Sequence, residues 1–102
     1  MKKHLVLVSM AVVLMSLSAK AAAADAEVKQ YVICKNQKIV RTIRVECSKG
    51  ECDTIYTKDG TDRVEGHNNN VMGGQKILGN IQGNLEKASW KCNDVTANAK
   101  ID

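Results

Sequence analysis

Aromatic side chains are scarce in this chain: Tyr31, Tyr56 and Trp90 are the three it has, and phenylalanine is absent. A surface that binds phosphate backbones and stacks bases needs such rings beside a basic stripe, so nucleic acid is a poor partner. The charge points the same way. The chain carries 15 Lys plus Arg against 11 acids, a net of +4, but Lys2, Lys3 and Lys20 fall in what reads as a removable leader, which leaves 12 against 11, or +1. The apolar run from Leu5 to Leu17 is shorter than the roughly 20 residues that a helix needs to span a bilayer.

That run follows Lys2, Lys3 and His4 and precedes a small-residue tract from Ser18 to Ala24. The order is the three-part grammar of a secretory signal peptide, with cleavage expected after Ala24. No cysteine lies at the junction, so no lipid anchor is expected and no stable membrane anchor after cleavage. Residues 1–24 are therefore read as signal peptide, 25–94 as one small domain and 95–102 as a flexible tail, in a protein that is periplasmic or secreted. About 78 residues leave little core to spare, and chains of that size in oxidising compartments commonly add disulfides. Cys34, Cys47, Cys52 and Cys92 all lie beyond the leader, enough for two bridges.

Catalytic groups are equally sparse. His67 is the one histidine beyond the leader, in a Gly/Asn stretch, and no second histidine or spare cysteine completes a metal site with Asp62 and Glu65. Ser48 and Ser89 cannot be matched to a histidine and an acid by any spacing argument. Asp59-Gly60-Thr61-Asp62 with Glu65 lacks the spacing of a twelve-residue calcium loop and is better read as a turn. The expectation is no enzyme, no cofactor and no metal.

The centre of the chain is Ile39 to Cys47, where Ile39, Ile43, Val45 and Cys47 alternate with Thr42, Arg44 and Glu46. A period of two is that of a strand with one buried face, and Arg41 is the one odd position that breaks it. Tyr31 to Cys34 reads as a preceding strand, with Asn36-Gln37 as the turn and Cys34 opposite Ile39. Residues 25–30 are polar and read as frayed. Lys49-Gly50 turns the chain again and sets Cys47 across from Cys52. Asp59-Gly60 supplies the strongest turn signal, because Asp-Gly tolerates the positive φ that a type I′ turn needs at both positions. Thr61 to Glu65 then returns with Ile55 opposite Val64.

Asn70 is a good helix N-cap, and Leu78, Ile81, Leu85 and Ala88 form one apolar stripe in a helix expected over Val71 to Ala88. Interior glycines at 73, 74, 79 and 83 cost roughly 1 kcal/mol each, so this helix must draw its stability from packing on the sheet. Gly79 and Gly83 fall on its exposed side. Ser89 to Asn93 reads as a short extended segment. The fold class is α+β: a four-stranded antiparallel meander, one amphipathic helix on one face, and disulfide staples.

Geometry constrains the bridges. Cys47 lies eight residues beyond the expected partner of Cys34, roughly 26 Å along the strand, so those two cannot be joined. The Lys49-Gly50 turn already places Cys47 opposite Cys52, which leaves Cys34 for Cys92.

A first-strand cysteine, Ile39-Val-Arg-x-Ile-Arg-Val45, Cys52-x-x-x-Tyr56-Thr-Lys58 and a helix ending in Trp90-x-Cys92 together resemble a family of small secreted proteobacterial proteins of unassigned activity. The resemblance covers about residues 31–92 and implies export and this fold. In that family a cysteine near the helix start partners the one matching Cys52; Val71, Met72 and Gly73 offer none here, and Cys47 stands in as a relocated bridge. The functional expectation is a non-catalytic binding, accessory or inhibitor module that contacts another envelope protein. No motif specifies an oligomeric state. The alternative is a thiol-disulfide redox protein using Cys47 and Cys52, although catalytic dithiols usually sit as Cys-x-x-Cys at a helix start.

Overall fold

The computed structural model describes residues 26–99, so the signal peptide read at 1–24 lies outside the described residues. The elements are β1 (Glu27–Asn36), β2 (Ile39–Ser48), β3 (Glu51–Lys58), β4 (Thr61–Asn68), α1 (Val71–Lys87), β5 (Lys91–Asp94) and α2 (Thr96–Ala99). The fold is α+β, with an antiparallel sheet in the order β4-β3-β2-β1-β5 and two disulfides.

The sheet corrects the expected meander from four strands to five. Once α1 has crossed the sheet from the β4 side, β5 adds antiparallel to the free side of β1, with Cys34 opposite Cys92. The Cys34–Cys92 bridge joins that registered pair, and Cys47–Cys52 joins another across the second hairpin. The first hairpin is also corrected. Its turn is Gln37-Lys38, so Asn36 faces Ile39 and Cys34 faces Arg41. A slip of two residues preserves which face each side chain takes, and Cys47 still lies about 20 Å from the partner of Cys34.

Strand ends run longer than their composition suggests. β1 begins at Glu27 rather than Tyr31, its polar start paired with β2 across a bulge at Lys29. β4 continues past Glu65 through another bulge to Asn68, taking in Gly66 and His67. Thr96–Ala99 is a short helix where a loose tail is expected. Asp94 caps it through the Thr96 N–H at 2.9 Å, while the Val95 N–H donates to the Tyr31 carbonyl at 2.8 Å.

The core lies on one face. Val32 and Cys34 of β1, Ile43, Val45 and Cys47 of β2, and Cys52 of β3 meet Leu78 and Leu85 of α1. Ile39 lies at the hairpin tip and is 52% exposed, and Ala88 is the exposed C-cap rather than part of the buried stripe. Asn70 accepts from the Gly73 N–H at 2.7 Å, the cap expected from the sequence. Gly74 has a positive role: a Cβ there would stand 2.8 Å from Val45 Cγ1. Its absence lets the helix backbone come close enough for the buried Thr54 hydroxyl to donate to the Gly74 carbonyl at 3.1 Å. A Cβ at Gly79 or Gly83 would meet nothing within 4 Å.

Candidate functional site

Arg41 explains its own break in the alternation. It points to the helix side, its guanidinium 4.4 Å from the centroid of the Trp90 ring, and its Nη1 donates to Tyr56 Oη at 3.0 Å. A cation over an indole face contributes about 0.5–1 kcal/mol at a partly exposed site. The contact ties the segment after α1 to β2 and β3. Arg41 is thus a clamp at one end of the core, beside a shallow hollow of about 240 Å³ lined by Tyr56, Glu65, Ile81, Asn84 and Leu85.

The titratable candidates are dispersed by the fold. His67 pairs with neither Asp62 nor Glu65. Its Nδ1 meets Asp53 and its Nε2 meets Glu51. These bonds, that to Asp53 first and to Glu51 second, raise the His67 pKa above the usual imidazole value. With a carboxylate on each nitrogen, the ring has no free position for activating a serine. Glu65 pairs with Arg63, and Asp62 belongs to a separate network. Among the described residues no group of three or more His, Cys, Asp or Glu is arranged to hold a metal ion. Among them, too, no helix is long and apolar enough to cross a membrane.

The Cys47–Cys52 bridge sits in the core, with Cys47 9% and Cys52 2% exposed. Thiol exchange needs an in-line approach to a sulfur, and burial at this level obstructs it. No free cysteine is present among the described residues.

Among the described residues no helix packs across the opposite face of the sheet. Near β4 it carries a charged network in which Arg44 donates to Glu46, to Asp62 at 2.9 Å and to Thr57 at 3.2 Å. Burial opposes the Arg44 charge, but the bonds to Asp62 and Glu46 outweigh it and raise its pKa. Asp62, held by Arg44 and then by Thr57, is lowered. Ile55 is nevertheless 8% exposed on this side, flanked across the strands by Arg44 and Val64.

At the other end of the same face, β1 and β5 frame a cleft of about 610 Å³ lined by Ile33, Lys35, Asn36, Gln37, Ser89, Lys91, Asn93 and Val95. Sequence reading missed it. Its signal lay in combining the Cys34–Cys92 bridge with an extended segment at 89–93, because antiparallel pairing of 34 with 92 sets 35 opposite 91 and 33 opposite 93.

The two outer strands differ. β5 has four residues, whereas β4 has eight and ends the sheet order on the side away from β1. No family model matches the chain, and no curated protein or solved structure matches it.

Proposed function

We propose that the protein is an exported, non-catalytic binding module of the cell envelope, periplasmic or secreted, which takes up an extended segment of another protein along β4. The observation carrying this reading is the place of β4 at the end of the sheet, paired with β3 on one side. Such a strand offers a row of backbone donors and acceptors to an incoming chain. In a two-residue hairpin the closing pair, here Lys58 and Thr61, exchanges backbone bonds. The alternate residues Asp62 and Val64 therefore direct their own N–H and C=O groups outward. The bulge at Glu65 and the charges on Asp62, Arg63 and Glu65 guard against indiscriminate pairing, which confines the offered stretch to Thr61–Val64.

Export is supported by the leader-like N-terminus and by two disulfides, which belong to oxidising compartments. The buried sulfurs favour a structural Cys47–Cys52 bridge over a redox pair. Its reduction potential should fall below about −300 mV, whereas a value near −200 mV would favour thiol exchange.

Affinity capture from an envelope extract, with disulfides intact, tests the reading. The native chain should retain a partner that Val64→Pro loses, because proline removes an outward N–H without breaking a bond inside the sheet. Recovery of no partner, or equal capture by Val64→Pro, would overturn it.

A further inference from the structure

The cleft between β1 and β5 has a charge pattern that the edge-strand reading does not use. Cys34 and Cys92 face the core as a bridged pair, so the next registered pair, Lys35 and Lys91, shares the opposite, open face. Two ammonium groups directly across an antiparallel pair repel each other. Among the described residues neither lysine has an acidic partner within 4.0 Å, and no acid lines the cleft. The remaining polar lining, Asn36, Gln37, Ser89 and Asn93, can donate hydrogen bonds, while Ile33 and Val95 supply apolar surface.

The cleft is also held in shape. The disulfide one residue away fixes the spacing of the strands that carry both lysines. Gln37 and Ser89, which line it, hold left-handed backbone at φ 58° and 74°, a conformation that non-glycine residues adopt at a cost. A volume of about 610 Å³ suits a small molecule.

We infer that this cleft binds a small organic dianion, with Lys35 and Lys91 as its two cationic contacts and the neighbouring amides and hydroxyl as donors. A dicarboxylate and a phosphate monoester share that chemistry: two negative charges on a short carbon body. Pairing each charge with one ammonium removes the repulsion between the lysines, and the preset spacing lowers the ordering cost of binding.

Amide chemical shifts of the oxidised full chain, titrated at low salt with succinate and separately with glycerol phosphate, test this and tell the two ligand sources apart. At least one should give saturable shifts confined to residues 33–37, 89–93 and Val95, with acetate binding more weakly. Lys35→Gln and Lys91→Gln should each weaken binding about tenfold, the effect of losing one charge-assisted contact. Lys35→Arg with Lys91→Arg should retain it, and so should Lys58→Gln, two strands away on the covered face. Shifts that grow without saturation across all lysines would overturn the inference, as would localised binding that survives loss of both charges. Partner capture through β4 is a separate readout, so either proposal can fail alone.

Discussion

The two faces of this sheet are built from the same strands and do different work. The covered face gathers Val32, Cys34, Ile43, Val45, Cys47 and Cys52 beneath Leu78 and Leu85, with both disulfides inside it. On the uncovered face Arg44 sits in an ion-pair network, His67 lies between two carboxylates, and Lys35 stands opposite Lys91. Period-two alternation lets one strand serve both ends: even residues of β1 hold the fold while odd ones remain available for contact. Stability should therefore be concentrated on one side and recognition on the other.

The largest effect should come from the bridge that closes the whole domain. Replacing Cys34 and Cys92 by alanine should cost about 4 kcal/mol in urea unfolding, against about 2 for Cys47 and Cys52, because the first closes a far longer loop. Leu78→Ala, in the centre of the covered face, should cost about 3 kcal/mol. Gly74→Ala should cost about 1–3 kcal/mol, since the new methyl must displace Val45 or lift the helix from Thr54. Arg44→Met on the uncovered face keeps the stem packed but leaves Glu46 and Asp62 without their cation, and should cost about 1–2 kcal/mol.

The smallest effect is a pH dependence. The pKa of His67 is raised in the folded protein by Asp53 and Glu51. The stabilisation from this cluster is thus fully present below the unfolded imidazole value of about 6.5 and is lost as pH rises through the folded value. Unfolding midpoints measured across that interval should fall in the native chain and stay flatter in His67→Gln.

The sequence carried the local turns and the distribution of faces well. Lys49-Gly50 and Asp59-Gly60 adopt positive φ at both positions, and the registers that follow, Cys47 with Cys52 and Ile55 with Val64, are those of the structure. The first hairpin slipped because Lys35 to Lys38 contains no glycine to mark its turn; Gln37 takes the left-handed position instead. The fifth strand was legible as an extended segment but not as part of the sheet. Its pairing with β1 spans 58 residues at the disulfide, and no local pattern encodes it. The charged cleft depends on that pairing, so it was hidden for the same reason. His67 shows another limit: its partners Glu51 and Asp53 become neighbours only because β4 extends past the Glu65 bulge.

The division of labour between the faces can be measured directly by urea unfolding of the oxidised protein carrying Lys35→Gln, Val64→Thr and Lys91→Gln together, beside Leu78→Ala alone. The triple variant should unfold within about 1 kcal/mol of the native chain, while the single core change costs about 3. A triple variant as destabilised as Leu78→Ala would mean that the open face also holds the fold together, and would contradict the account.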